Sequence, residues 1–231
     1  MRSRPSAAHA TRPWWAGVLL AVLALLVVGA PPATAAGRQL VVVGGDLIYG
    51  GTGGTCVVGY NAEKNGNPYG IVPGHCAQAG TTWFADAART TPIGTTEGTS
   101  FPRAGYGVIR YTNTAVSFPG EVRDGMGGTL DIAGAMSPVI GHSMCHVGRV
   151  SGVHCGTVQA VNVSVNFPDG VVTGLFTSNV CSERGDEGGP AFAGNRALGF
   201  IVASKGGCRL GAGTFYQPIG PVLAAHGLTL R

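Results

Sequence analysis

Short runs of β-branched and aromatic residues recur along the chain, each interrupted by glycine or proline. Runs of this length between turn-forming residues are typical of β-strands, since a helix needs a longer segment with apolar residues every three or four positions. The pattern predicts strands over 40–43, 55–60, 107–111, 157–165, 171–176, 197–203 and 214–216, and a very short one at Val139-Ile140. Many short strands at fairly even spacing favour an all-β sandwich or barrel.

A segment near the C-terminus has the signals of a helix. Residues 219–226 place Pro221 in the first turn, and Gly227 follows as a stop signal. The sequence has no low-complexity tract, so the clearest internal boundary is the segment 112–120, which ends in Ser-Phe-Pro-Gly. It predicts an N-terminal β-domain over 43–115 and a C-terminal β-domain over 116–231.

The first 35 residues differ from the rest. Arg2, Arg4 and Arg12 precede an uncharged apolar run over 16–30, and Ala33-Thr34-Ala35 follows as a small-residue cleavage site. This pattern predicts a signal peptide over 1–35 and a secreted protein. The apolar run is short for a membrane span, and no later segment is longer, so we expect no membrane association after cleavage.

The charge of the chain argues against a nucleic-acid partner. Fifteen Lys and Arg stand against eleven Asp and Glu, and three of the arginines belong to the predicted signal, so the rest is nearly neutral. Lysine occurs only at Lys64 and Lys205, and no basic cluster is present. Nucleic-acid binding needs such a cluster, so we expect none.

Six cysteines follow the predicted signal: Cys56, Cys76, Cys145, Cys155, Cys181 and Cys208. An even number in an exported chain indicates three disulfides. The sequence alone does not choose among the pairings, of which nearest neighbours along the chain are the simplest. The alternative is a metal site at Cys145-His146 and His154-Cys155, which is disfavoured because thiols in an oxidising compartment usually form disulfides.

Two segments carry candidate chemistry. Residues 72–76 (VPGHC) set His75 directly before a cysteine, and residues 185–190 (GDEGGP) form a glycine-rich turn just after Cys181. Taken singly, a residue such as His75 is more often an ordinary loop histidine than a catalyst, and the second segment is also compatible with a tight turn. The glycine-rich stretch 50–54 lacks the Gly-Lys-Ser/Thr of a phosphate-binding loop, so we interpret it as a hairpin loop.

Together these segments resemble the chymotrypsin-fold serine proteases secreted by actinomycetes, the streptogrisin and alpha-lytic protease group. The similarity runs from about Val43 to the C-terminus, and it includes the segments GGDLIY (44–49), GHC (74–76), TSFP (99–102), YGVIRYTN (106–113), HCGT (154–157), ALG (197–199) and TFYQP (214–218). The resemblance implies two antiparallel six-stranded β-barrels, a short C-terminal helix and disulfides between neighbouring cysteines. We also expect a monomer, and we expect no cofactor or metal.

The family cleaves peptide bonds with a Ser-His-Asp triad, in which serine attacks the carbonyl, histidine carries the proton and aspartate orients the imidazole. The resemblance places His75 at the histidine position. Gly105 stands at the aspartate position, directly before Tyr106-Gly107, and Glu187 stands at the serine position. Two of the three catalytic groups are therefore replaced.

The resemblance also places the oxyanion hole at the backbone N–H groups of Gly185 and Glu187. A carboxylate at position 187 would occupy or repel a site that stabilises negative charge. Its attack on an amide would give an anhydride that reverts readily, so we expect no peptidase activity from it. Ser182 is the nearest substitute nucleophile, but it lies outside the family-like turn and is expected to face the specificity pocket.

Supporting positions differ as well. The Ser-Gly-Gly triplet that lines the family's substrate cleft reads Val202-Ala203-Ser204, and its side chains should narrow the pocket. The arginine that pairs with the buried aspartate before the nucleophile appears as His146, which would pair with Asp186 if it were charged. Residues 36–42 alone separate the predicted signal from the mature-like start, without the long pro-segment usual in the group, which fits an inactive protein.

Three functional hypotheses follow. The leading one is a secreted, catalytically inactive serine protease homologue that binds peptides or protease inhibitors in a relict cleft. The second is an active serine-type endopeptidase or hydrolase with a non-standard site, using Ser182, or using Glu187 with His75. The third is a duplicated copy without a role.

Overall fold

Antiparallel β-strands make up most of the described chain, which is residues 39–209 and 213–231 of a computed structural model. The predicted signal peptide, 1–35, lies outside the described residues. Within them, no helix is both long enough and apolar enough to cross a bilayer.

The N-terminal half forms the first sheet, together with one strand from the C-terminus. Its strands are β2 (Leu47–Gly50), β3 (Thr55–Val57), β4 (Tyr60–Lys64), β5 (Asn67–Pro73), β6 (Thr82–Phe84), β7 (Pro92–Thr99), β8 (Tyr106–Tyr111) and β19 (Thr229–Leu230), in the order β19-β4-β5-β8-β7-β6-β2-β3. β3 and β4 are two halves of one strand, interrupted at Val58-Gly59. The first half pairs with β2 and the second with β5, so this shared strand curls the sheet into a barrel of six strands, to which β19 is added.

The C-terminal half forms the second sheet. Its strands are β12 (Gly134–Ala135), β13 (Ser143–Gly148), β14 (Gly152–Phe167), β15 (Gly170–Ser178), β16 (Pro190–Ala193), β17 (Arg196–Ser204) and β18 (Thr214–Pro218), in the order β12-β17-β16-β13-β14-β15-β18. An additional pairing of β17 with β18 closes six of these strands into a ring, and β12 lies outside it, parallel to β17. The predicted pair of six-stranded barrels is thus confirmed.

Short pairs of strands connect the two halves. β1 (Leu40–Val41) runs parallel to β9 (Val116–Ser117), and β10 (Glu121–Arg123) pairs antiparallel with β11 (Thr129–Asp131). The boundary that we placed between 115 and 116 falls inside this connecting region, between β8 and β9, and it stays a prediction.

Three groups of buried apolar side chains hold the strands together. One fills the first barrel around Trp83 and Ile93, and another fills the second around Met144 and Leu198. The largest joins the halves, because Tyr106 and Ile71 from the first share it with Phe200 and Val202 from the second. Burial of apolar surface is the main stabilising term in folding. This shared core therefore holds together the two barrels whose residues form the candidate site.

The single helix that was predicted is confirmed. α1 spans Ile219–His226 and ends at Gly227, whose φ of 62° lies in the left-handed region that glycine tolerates best. The expected strand at Val139-Ile140 is wrong. This pair lies in a loop with side chains 50% and 61% exposed, since two apolar residues between a proline and a glycine have no neighbouring strand to pair with.

The nearest-neighbour disulfides are confirmed as Cys56–Cys76, Cys145–Cys155 and Cys181–Cys208. Because Cys145 and Cys155 are bonded to each other, the alternative metal site at these residues lacks its thiolate ligands. The same holds for His154 with Cys181 and Cys208, whose ligand atoms lie within 4.8 Å of one another.

Candidate active site

His75 lies at the end of the first barrel, in a single 3₁₀ turn (Gly74–Cys76) that follows β5. Disulfide Cys56–Cys76 ties this turn to β3. Gly74 must be glycine here, because a Cβ would lie 2.8 Å from the carbonyl oxygen of Tyr106 and 2.8 Å from Cβ of Phe101. The close approach lets Gly74 N–H donate to the carbonyl of Gly105, at 2.9 Å, and this bond brings the two predicted site positions together.

Gly105 is buried and presents only its backbone to the site. Its N–H donates to Oε1 of Gln217, at 2.8 Å. A Cβ at position 105 would lie 3.0 Å from Cγ1 of Val202 and 3.6 Å from Cγ1 of Val172. The space that a side chain at 105 would need is therefore filled by apolar atoms from β17 and β15.

Two effects act on the pKa of the His75 imidazole. Partial desolvation of the ring lowers the pKa, and the negative charge of Glu187 raises it. The net pKa lies below the ordinary 6.5, so His75 is mainly neutral at pH 7. Among the described residues no hydrogen bond contributes to this balance, which leaves the ring without a partner that fixes its tautomer.

Glu187 is half-buried in the tight turn after Cys181. Its Oε2 accepts a hydrogen bond of 2.8 Å from the backbone N–H of Gly185, two residues earlier. The N–H of Glu187 itself has no partner among the described residues. One of the two predicted oxyanion-hole donors is thus taken by the residue that stands at the serine position.

Asp186 holds this turn in place. Its side chain is fully buried, with Oδ1 accepting from the N–H of Val150, at 2.6 Å, and of Ser151, at 3.1 Å. Oδ2 accepts from the N–H of Glu183, at 2.8 Å. Burial alone would raise the pKa of Asp186, but hydrogen bonds from Ser151, Glu183 and Val150 outweigh it and hold the pKa below its usual value.

The hypothesis that Asp186 pairs with a charged His146 is wrong. His146 is buried, and its Nδ1 lies 2.7 Å from the hydroxyl of Tyr216. Burial lowers the pKa of His146 to about 4, against the opposing charge of Asp186, so the ring is neutral at pH 7. Backbone amides have taken the role that a cation would play for Asp186.

A cleft of about 590 Å³ opens beside His75 and Glu187. Phe101 and Phe167 form one wall, with ring centroids 5.6 Å apart, edge to face. The predicted cleft residues Val202, Ala203 and Ser204 form another. Ser204 is held there because its hydroxyl donates to the carbonyl of Ser182, at 2.6 Å, and accepts from Gly207 N–H, at 3.1 Å.

Ser182 does not face this cleft, contrary to expectation. Its side chain is fully buried, and its hydroxyl is bonded to the hydroxyl of Thr214, at 2.8 Å. It does not line the cavity. A hydroxyl in this position is inaccessible to a substrate.

Comparison with proteins of known sequence decides the family. Serine protease 1 of Streptomyces fradiae is 42% identical over 192 residues, 83% of this chain and 53% of the relative. Streptogrisin-D of Streptomyces griseus is 40% identical over 187 residues, 80% of this chain and 47% of the relative. The solved structure of alpha-lytic protease homolog N4 superposes with a TM-score of 0.77 at 48% identity, covering 83% of this chain and all of that one.

The chain belongs to the streptogrisin and alpha-lytic protease family. Its match to Serine protease 1 and Streptogrisin-D spans about half the length of those relatives. No protein-family model matches the sequence.

Sequence reasoning from the streptogrisin pattern missed several residues of the site. Gln217 and Val172, which surround Gly105, come from distant strands, and no local signal connects them to it. Asp169, Glu183 and Arg184 also line the cleft. Glu183 and Arg184 are next to the recognised GDEGGP turn, so their position beside it was the available signal.

Proposed function

We propose that this protein is a secreted streptogrisin-family member that lacks peptidase activity and binds polypeptide segments in the cleft beside His75. The observation that carries the proposal is the hydrogen bond from Gly185 N–H to Oε2 of Glu187. In an active family member the equivalent amide stabilises the negative charge that develops in the transition state. Here it is occupied by a negative charge that the protein itself supplies.

The replacement of serine by Glu187 removes the nucleophile. In a serine protease, loss of the nucleophile alone lowers kcat by about 10⁶, equivalent to about 8 kcal/mol of barrier. The residual activity of such variants comes from the oxyanion hole and substrate binding. With Gly185 N–H already bonded, this protein lacks part of that residual contribution too.

His75 also lacks the group that would make it an effective base. Gly105 carries no carboxylate, and the neighbouring space is filled by Val202 and Val172. In a serine protease, replacing the aspartate by a group that leaves the wrong tautomer lowers kcat by about 10⁴. The catalytic deficit therefore arises at two separate positions, 105 and 187.

The competing hypothesis of an active hydrolase finds less support. Burial of Ser182 argues against it as a nucleophile. Glu187 with His75 would need a chemistry other than peptide hydrolysis, because a carboxylate attacking an amide forms an anhydride that reverts.

Binding is proposed because the cleft persists. Its volume of about 590 Å³ falls within the range of ligand sites, and aromatic and aliphatic side chains form its walls. Secretion is proposed from the pattern of residues 1–35 together with three disulfides, which persist mainly outside the cytosol. A peptide or the exposed loop of a protease inhibitor would fit such a cleft equally well.

The test is a joint assay on disulfide-intact protein: hydrolysis of a chromogenic peptide library, and labelling by a serine-directed fluorophosphonate. An active streptogrisin serves as the positive control, and Glu187→Ala as the matched variant. We expect neither turnover nor labelling. Turnover with labelling would contradict the proposal and identify another nucleophile, while turnover that Glu187→Ala abolishes would show carboxylate chemistry.

A further inference from the structure

The cleft has an uneven distribution of charge. Asp169, Glu183 and Glu187 line it with carboxylates, whereas Arg184 is the single cation among its described lining residues. His75 adds little positive charge at pH 7, because its pKa is lowered. Arg184 is exposed and forms no salt bridge in the described part of the chain. An occupant of this cleft therefore meets an excess of negative charge.

Two of these carboxylates are fixed by the backbone. Oε2 of Glu187 accepts from Gly185 N–H, and Oε1 of Glu183 accepts from Cys208 N–H, at 2.9 Å. Each leaves its second oxygen without a hydrogen-bond partner among the described residues. A donor that binds these oxygens does not first have to order the side chains, and pre-organisation of this kind favours binding.

The walls of the cleft suit a charged group on an apolar stem. Phe101 and Phe167 pack edge to face on one side, and Val202 faces the same cavity. Lysine and arginine bury their methylene groups against such surfaces while the charged end stays with polar partners. Aromatic faces add attraction for a cation.

The hydrogen bond between Gly185 N–H and Glu187 also limits which kind of peptide can bind in the cleft. A peptide that ended in the cleft would place its own carboxylate near Gly185 N–H, where Glu187 already sits. The carboxylate of the peptide and that of Glu187 would repel each other, so a free C-terminus is disfavoured there. A chain that continues through the cleft brings no such charge.

We propose that the ligand of this cleft is a continuous polypeptide segment that inserts a lysine or arginine side chain next to Glu187 and Glu183. This inference rests on the peptide binding proposed above and names the chemistry of its ligand. Glu187 then has two effects: it blocks the oxyanion-hole donor, and it selects a cationic side chain.

The experiment measures fluorescence anisotropy of labelled peptides that share their flanking residues and differ at one central position. Lysine, arginine, norleucine and glutamate are compared there, since norleucine has the apolar stem of lysine without its charge. We expect lysine and arginine to bind roughly 10-fold more tightly than norleucine, with glutamate weakest, and the difference to shrink as salt is raised. A lysine peptide that ends at that position with a free carboxylate should bind more weakly than its amidated form.

Variants assign the effect to the cleft. Glu187→Gln keeps an acceptor for Gly185 N–H but loses the charge, so the preference for lysine over norleucine should fall to about 2- to 3-fold. Asp131→Asn, an exposed carboxylate of β11 that does not line the cleft, is the matched control and should leave the preference unchanged.

The outcomes separate this inference from the proposed function. Equal binding of lysine and norleucine peptides, or a preference that Glu187→Gln leaves intact, would overturn the inference while peptide binding stands. Failure of every peptide to bind would overturn the proposed binding function and this inference with it.

Discussion

Asp186 and Glu187 are neighbouring carboxylates in one turn, and the structure uses them in opposite ways. Asp186 is fully buried and accepts hydrogen bonds from three backbone amides, which shape the turn. Glu187 is half-buried and accepts one, from Gly185, the donor that a family member needs for catalysis. The first carboxylate preserves the scaffold of an active site, and the second occupies it.

The comparison shows that the shape of this turn does not depend on the catalytic chemistry. Besides Asp186, the turn is held by Gly188 N–H, which donates to the carbonyl of Ile201, and by Ile201 N–H, which donates to Gly189. Gly188 has a φ of 95° and lies so close to Val57 that a Cβ would meet its carbonyl oxygen at 2.5 Å. None of these contacts involves the side chain at 187, so the serine can be lost while the fold persists.

Introducing the family's serine and aspartate should give the largest effect. The triple variant Glu187→Ser, Gly105→Asp, Val202→Ser replaces the nucleophile, supplies the orienting carboxylate and removes the Cγ1 that fills its space. We expect its peptidase activity to exceed that of Glu187→Ser alone by about 10⁴-fold, the usual contribution of the aspartate. Initial rates on chromogenic peptides measure the ratio.

Glu187→Ser with Gly105→Asp is the control for the role of Val202. A carboxylate beside Val202 Cγ1 has no room, so this double variant should be less active than the triple one. Substantial activity from Glu187→Ser alone would refute the view that His75 lacks support.

Removing Asp186 should cost much more stability than changing Glu187. Asp186→Ala empties a fully buried side-chain position and leaves three partly buried backbone N–H groups without their acceptor, so we expect a loss of about 4 kcal/mol in the free energy of unfolding. Glu187→Gln keeps its hydrogen bond to Gly185, and the change should stay within about 0.5 kcal/mol. Urea unfolding of oxidised protein at pH 7 measures both, and similar losses would break the contrast between the two residues.

The neutral His146 predicts a loss of stability in acid. Its folded pKa of about 4 lies below the ordinary 6.5, so between these values the unfolded chain binds a proton that the folded chain excludes. Stability from this residue is therefore complete above pH 6.5 and falls as the pH drops, by about 2 to 3 kcal/mol between pH 7 and 4.5. Urea unfolding at the two pH values measures the fall.

His146→Gln should flatten this part of the profile. His75 and His226 also have lowered pKa values, but they titrate in both proteins and cancel in the difference. Asp186 acts in a lower range, since a depressed carboxyl pKa withdraws stability only as the pH falls through it. An unchanged slope in His146→Gln would contradict a neutral buried imidazole.

The smallest expected effect is on the imidazole of His75. Partial desolvation lowers its pKa and the charge of Glu187 raises it, so Glu187→Gln should lower the pKa further. An NMR titration of the ring protons measures the change. If the pKa did not move, the charge of Glu187 would not reach His75.

Much of the fold followed from local patterns. The runs at 107–111 and 197–203 became β8 and part of β17 because β-branched and aromatic residues are concentrated there between turn signals. β5 and β7 were missed, since Pro68, Pro73 and the glycines of β7 interrupt the pattern. Pairing on both sides makes these segments extended, β5 with β4 and β8, and β7 with β6 and β8. The extended conformation of β5 and β7 therefore depends on tertiary contacts, which leave no signal in the local sequence.

The candidate site, like the fold, could be predicted from the sequence only in part. The family motifs located His75, Gly105 and Glu187, because each lies in a recognisable segment. The filling of the space beside Gly105 by Val202 and Val172 could not be predicted, since it depends on how β15 and β17 pack against the loop before β8. Likewise, the backbone N–H donors that bind Asp186 and the burial that keeps His146 neutral depend on the assembled second barrel.

The most direct test of the account follows the backbone N–H of Gly185 by ¹⁵N–¹H NMR in the wild-type protein and in Glu187→Ala. Because the carboxylate of Glu187 accepts this N–H, its proton resonance should shift upfield in Glu187→Ala, and the amide should exchange faster with solvent. A Gly185 resonance and exchange rate that are the same in both proteins would mean that the oxyanion-hole donor is free, contrary to the central claim.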